Sequence, residues 1–126
     1  MRGVVCIGYL LLAVLMTACT ASRETSGSSV LHFDLNRLNA EGLQGPPDGL
    51  RALHYEYCIP DRPGLIDELA GIDPSLETQY GSPGRIGCGE GELLCLGHTH
   101  QPDYREVLER LGRHPMVGEI REALFE

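Results

Sequence analysis

The sequence from Leu50 onward predicts an α+β domain in which an antiparallel sheet is covered on one face by two helices. Apolar residues alternate with polar ones in four short segments, and they recur at helical spacing in two others. The segments follow one another in the order β-α-β-β-α-β. This is the split, ferredoxin-like arrangement, in which the first and third strands are neighbours at the centre of the sheet.

The first strand and the first helix have the clearest boundaries. In residues 50–59 one face of the strand is apolar and comprises Leu53, Tyr55, Tyr57 and Ile59. Pro63 fits the first turn of the helix, because its missing N–H would be unpaired there in any case. Gly71 is expected to end this helix. Its predicted buried face comprises Leu65, Ile66, Leu69 and Ala70.

The second half of the chain repeats this alternation. Residues 76–80 predict a short strand, residues 81–92 a glycine-rich loop, and residues 93–98 a third strand. The second helix begins near Pro102 and ends at Gly112, and residues 117–125 favour a last strand over a third helix. The buried face of the second helix is the best periodic set in the chain, namely Tyr104, Val107, Leu108 and Leu111.

The N-terminal part predicts export. Residues 4–16 carry no charge after a basic start at Arg2, a length that suits a signal peptide and is too short to cross a bilayer. Cys19 follows small residues, as in bacterial lipoproteins, so residues 1–18 are predicted to be removed and Cys19 lipidated. Cleavage after Ala21, with simple secretion, is the alternative. Residues 19–29 predict a flexible tether, and residues 30–126 predict one domain, with residues 30–43 as either helix or strand.

Charge and cysteine content limit the possible partners. After processing, the chain has nine arginines and eighteen acidic residues, which gives a formal charge of −9. Nucleic acid is therefore a poor partner, because its phosphate backbone would repel this charge. The predicted partners are the membrane, through the lipid, and an unknown envelope protein or small ligand. Three cysteines remain in the domain, and an oxidising compartment should pair two of them. Central antiparallel strands favour a Cys58–Cys95 disulfide on the helix-free face, with Cys88–Cys95 as the alternative.

Two short strings resemble catalytic motifs without the residues that would complete them. Residues 58–62 fit the C-x-P-x-R pattern of sulfatases, and residues 97–102 fit one of the five metal-binding motifs of calcineurin-like phosphoesterases. No catalytic residue and no cofactor are therefore predicted, and the chain is expected not to be an enzyme.

Histidines and a cysteine suggest two alternative functions. His54 is expected opposite Thr99, between His98 and His100, so the three imidazoles would form a Zn²⁺ or Cu²⁺ site. A thiol-dependent envelope enzyme using Cys58 and His54 is the other alternative. The main prediction remains a non-enzymatic binding or structural module of the cell envelope.

Three strings in the chain also resemble a known group of sequences. They are YEYCIP at 55–60, GSPGRIGCGEGELLCLGHTHQPDYREVL at 81–108 and EALFE at 122–126. They look like those of small exported bacterial proteins and lipoproteins with no assigned activity. The resemblance implies that such relatives often carry another cysteine near Thr78, so that this chain lacks one disulfide partner and keeps an odd thiol.

Overall fold

A computed structural model describes residues 30–125 of the chain. The predicted signal peptide, the tether and Cys19 lie outside these residues. Within them no helix is long and apolar enough to cross a membrane. The elements, in chain order, are a one-turn 3-10 helix (Leu35–Arg37), β1 (Leu43–Gln44), β2 (Arg51–Ala52), β3 (His54–Pro60), α1 (Leu65–Ile72), β4 (Glu77–Gln79), β5 (Glu92–His98), α2 (Tyr104–Arg113) and β6 (Arg121–Glu122).

The main sheet has four strands in the order β4-β5-β3-β6, and each strand is antiparallel to its neighbours. From β3 onward the elements follow the order β-α-β-β-α-β, which confirms the predicted α+β, ferredoxin-like class. The two seven-residue strands β3 and β5 form the centre, with Tyr57 directly opposite Cys95. β1 and β2 form a separate two-stranded hairpin before the main sheet.

The core lies between one face of this sheet and the two helices, as the periodicity predicts. The four residues predicted for the core face of the first strand are at most 1 % exposed. The helix α1 contributes Leu65 and Leu69 to the same core, and all four residues predicted for α2 are buried there. Ala70 differs from the prediction, because it is exposed.

Prolines rather than glycines set the ends of both helices. Gly71 and Gly112 were expected to stop them, but α1 continues to Ile72 and α2 to Arg113. The next residue in each case, Asp73 or His114, precedes a proline and is extended. A residue before proline is sterically disfavoured in the α region, whereas a glycine near a helix end costs only about 1 kcal/mol.

The chain ends are less regular than predicted. The last strand spans two residues instead of 117–125, although Ile120 also forms a parallel bridge with Leu31. The N–H of Ala123 donates to the carbonyl of His54 at 2.8 Å, so the terminal residues still follow β3. Residues 30–43 form neither one helix nor one strand, but divide into this bridge, the 3-10 turn and part of β1.

The disulfide joins Cys58 to Cys88, so the predicted Cys58–Cys95 pairing is wrong, as is Cys88–Cys95. Cys58 lies opposite Leu94, whereas Cys95 lies opposite Tyr57 and therefore points into the helix-covered core. The Cys58–Cys95 pairing would require Leu94 to face the helices. Leu94 instead lies on the helix-free face, where the glycine-rich segment 81–91 covers it and leaves it 2 % exposed.

The glycine-rich segment is held against the sheet by close contacts. The N–H of Ile86 donates to the carboxylate of Glu56 at 2.6 Å, and Glu56 is only 5 % exposed. Gly84 has a φ of +62°, and a Cβ there would lie 2.7 Å from Leu94 Cδ1. Close approach of backbone to a side chain is a typical use of glycine. The segment thereby covers the helix-free face around Glu56 and Leu94, whereas a cleft remains beside His54 and His98.

Leu108→Ala is expected to lower the free energy of unfolding by about 2–5 kcal/mol, because it leaves a cavity in the core. Leu108 is 2 % exposed and packs among the core residues of α2. Leu124→Ala is the matched control, since Leu124 is 57 % exposed, and it should change stability by less than about 0.5 kcal/mol. Urea unfolding measures both variants, and equal effects would contradict the assignment of the core.

Candidate functional site

A cleft of about 220 Å³ lies on the part of the helix-free face that the glycine-rich segment leaves uncovered. Strand alternation places the residues of β3, β4 and β5 there, and the C-terminal segment closes one side. The lining comprises His54, Ser75, Glu77, Gln79, Leu96, Gly97, His98 and Phe125. Polar and apolar groups thus meet in one small concave surface, which is the usual character of a ligand site.

Two histidines form the centre of this cleft. His54 and His98 are directly opposed on β3 and β5, and their ring centroids are 5.9 Å apart. The prediction that His54 lies opposite Thr99 is wrong by one residue. The ring of His54 also contacts Phe125 edge to face, with centroids 5.2 Å apart.

His100 does not join the pair, contrary to the predicted three-histidine cluster. It is exposed, and its Nδ1 lies 3.3 Å from the carbonyl oxygen of Glu41. Between residues 30 and 125, no three or more His, Cys, Asp or Glu side chains are grouped closely enough to hold a metal ion. The predicted site of three imidazoles is therefore not assembled.

The backbone of His98 is fixed, whereas its ring lacks a partner. Its N–H donates to Ser75 Oγ at 3.0 Å, and its carbonyl accepts from Gln101 Nε2 at 2.9 Å. Nδ1 of the ring is buried and has no hydrogen-bond partner in the described part of the chain. A buried polar atom without a partner costs about 1–3 kcal/mol, so it requires an explanation.

A fully buried carboxylate, Asp73, holds Ser75 in place beneath the cleft lining. The Tyr55 hydroxyl donates to its Oδ2 at 2.6 Å, and Ser75 Oγ donates to its Oδ1 at 2.7 Å. Gln101 Nε2 donates to the same Oδ1 at 3.1 Å. Burial and the neighbouring Asp73 charge raise the pKa of Tyr55 far above its usual range, so the phenol remains a donor. Ser75 is thus bonded on both sides and is rigidly placed at the cleft.

This network was missed at the level of sequence. Asp73-Pro74 has the composition of a turn, and the N–H of Ser75 donates to Asp73 Oδ1 at 2.9 Å, as is typical of such turns. The partners Tyr55 and Gln101 come from distant parts of the chain. No local pattern signals that a turn aspartate is buried.

The cysteines do not form the predicted thiol site. Cys58 is engaged in the disulfide, so a Cys58–His54 dyad is wrong. Cys95 is the free cysteine of the described residues and is fully buried. Burial, reinforced by the charge of Asp73, raises the pKa of the Cys95 thiol to about 12. Because the thiolate is the reactive form, this side chain is chemically inert in the folded domain.

Comparisons with known proteins find no protein-family model, curated protein or solved structure that matches this chain.

Proposed function

We propose that this protein is a lipid-anchored, non-enzymatic binding module of the bacterial cell envelope that takes its ligand in the cleft around His54 and His98. The Cys58–Cys88 disulfide is the observation that carries this proposal. Disulfides persist in oxidising compartments outside the cytoplasm. This agrees with the leader and lipidation pattern of residues 1–19.

Hydrogen bonding at the cleft favours binding over catalysis. Ser75 is the serine that lines the cleft together with the two histidines. Its hydroxyl donates to Asp73 and accepts from the N–H of His98. A serine activated by a histidine would instead donate its hydroxyl proton to an imidazole nitrogen. Fixed polar groups beside Leu96 and Phe125 can orient a ligand without reacting with it.

Covalent anchoring would keep the domain at the membrane surface despite its charge. The processed chain has nine arginines and eighteen acidic residues, and anionic lipid head groups repel this net negative charge. A single acyl chain gives only marginal membrane binding, whereas two or more chains give stable anchoring. The tether 19–29 would then present the cleft to an envelope protein or a small solute.

Cys19→Ser is expected to abolish lipidation and to release or stall the exported protein. The full chain, expressed in a bacterial host, should incorporate labelled palmitate and sediment with membranes. Cys6→Ser is the matched control, because Cys6 lies within the apolar leader segment and should leave both results unchanged. A soluble, unlabelled protein that begins after Ala21 would contradict lipidation and retain export, whereas an unprocessed cytoplasmic chain would contradict both.

A further inference from the structure

We infer that the ligand of the cleft is a divalent transition-metal ion, Cu²⁺ foremost, which His54 and His98 bind through their imidazole nitrogens. This inference rests on the proposed role of the cleft as the ligand site. The proposed site is a cross-strand pair of histidines in place of the predicted cluster of three. The protein supplies two ligands, and water fills the other coordination positions.

The separation of the two rings suits one shared ion. A metal bound at about 2.0–2.1 Å from an imidazole nitrogen lies about 3.2 Å from the ring centroid. Two imidazoles on one ion then have centroids about 4.5 Å apart at a right angle, about 5.2 Å apart at a tetrahedral angle, and about 6.4 Å apart when they lie on opposite sides. The observed 5.9 Å between His54 and His98 falls within this interval. Their directly opposed positions on β3 and β5 fix it.

The unpartnered nitrogen of His98 supplies a second and independent observation. Nδ1 is buried without a hydrogen-bond partner among residues 30–125, although both backbone groups of His98 are bonded. An imidazole bound to a metal through one nitrogen commonly places its other nitrogen in a hydrogen bond. In His98 the nitrogen Nδ1 has no such bond, although the backbone of the residue is held in place. Coordination to a metal would give this nitrogen a partner.

The charge of the lining favours a cation over an anion. Glu77 provides a carboxylate and Gln79 an amide oxygen, and no arginine is found among the described residues that line the cleft. The processed chain carries a formal charge of −9, which adds a long-range attraction for cations. Leu96 and Phe125 form an apolar border of the cleft. A less polar environment strengthens the electrostatic attraction between a bound cation and the groups around it.

The identity of the ligands selects the class of metal. Neutral imidazole suits Zn²⁺, Cu²⁺ and Ni²⁺, whereas Mg²⁺ and Ca²⁺ require oxygen ligands. Affinity for nitrogen sites peaks at Cu²⁺ in the divalent series. A site with only two protein ligands should therefore bind Cu²⁺ most tightly and Mg²⁺ not at all.

Titration with Cu²⁺ alone tests the inference. The full chain, purified from membranes in mild detergent with a tag free of histidine, should bind one Cu²⁺ by calorimetry. Electron paramagnetic resonance should show coupling to two imidazole nitrogens. His54→Gln and His98→Gln should each weaken binding by at least about ten-fold, because even residues that only orient a metal ligand contribute about 10–100-fold.

His100→Gln and His32→Gln are the matched controls, since both residues are exposed, and they should bind as the unmodified chain does. His54 is also exposed, so His54→Gln is expected to fold normally, and an intact Cys58–Cys88 bond verifies this by mass spectrometry. Equal Cu²⁺ affinity in His54→Gln and His100→Gln would overturn the inference, as would a spectrum without imidazole coupling. Either result leaves palmitate labelling of Cys19 untouched, so the envelope proposal is judged separately.

Discussion

Replacing Cys58 and Cys88 together by serine is expected to lower the free energy of unfolding by about 3–4 kcal/mol. The two residues are 30 positions apart, and the bond removes the corresponding loop entropy from the unfolded chain. The same change should loosen the glycine-rich segment, which the hydrogen bond from Ile86 N–H to Glu56 also holds against the sheet. Hydrogen exchange at Ile86 should become faster than in the unmodified protein, whereas exchange in α2 should change less. This difference would report the local effect.

Cys95→Ala is the control for this experiment, because Cys95 is free and buried in the core. It should keep the bond between Cys58 and Cys88 and lose only the packing of one sulfur atom. Urea unfolding measures the stability of both proteins, and peptide mapping without reduction identifies the bond. Loss of the disulfide in Cys95→Ala, or unchanged stability in the double variant, would contradict the assigned pairing.

Gly42→Ala is expected to destabilise the domain by about 2–5 kcal/mol. Gly42 has a φ of +75°, and a left-handed conformation costs a residue with a Cβ about 1–2 kcal/mol. An added Cβ would also overlap the backbone carbonyl of Thr99, and overpacking of this kind adds about 1–3 kcal/mol. The carbonyl of Gly42 accepts from the fully buried Thr99 hydroxyl at 2.6 Å, so the displaced turn would lose this bond as well.

Gly81→Ala separates the two causes. Gly81 has a similar φ of +69°, but a Cβ there meets nothing within 4 Å. The expected cost is the backbone contribution of about 1–2 kcal/mol alone. Thermal unfolding of the two variants under one condition gives the comparison. Equal destabilisation would show that the turn before β1 is not docked closely on Thr99.

The order of elements and the core could be predicted from the sequence because both depend on local periodicity. Tyr55 and Tyr57 alternate with polar residues, and Val107 and Leu111 are spaced four apart, so burial follows directly from strand and helix geometry. Helix ends were predicted less well, because glycine and the residue before proline compete as stop signals. The proline effect is steric and proved stronger.

Register and pairing could not be predicted in the same way. Leu94 and Leu96 are apolar, which favours placing them against the helices, yet both lie on the opposite face of β5. The glycine-rich segment covers Leu94, so burial there comes from a loop and not from a helix. A shift of one residue moves every side chain to the other face, which is why the disulfide prediction failed.

The candidate site was predicted in part for a related reason. His54 and His98 are brought together by the predicted pairing of the central strands. Ser75 reaches the cleft from the turn before β4, Glu77 from β4 itself and Phe125 from the C-terminal segment. Their meeting depends on the paths of the connection into β4 and of the C-terminal segment, which residue periodicity does not encode.

The burial of Cys95 affects how the bond between Cys58 and Cys88 forms during oxidative folding. An unfolded chain with thiols at 58, 88 and 95 can form scrambled bonds, and thiol exchange interconverts them as long as a thiolate can attack. Once β5 joins the sheet, Cys95 is fully covered and its raised pKa of about 12 keeps it protonated. The odd cysteine then leaves the exchange, so the native bond is protected from rearrangement and two molecules are prevented from crosslinking.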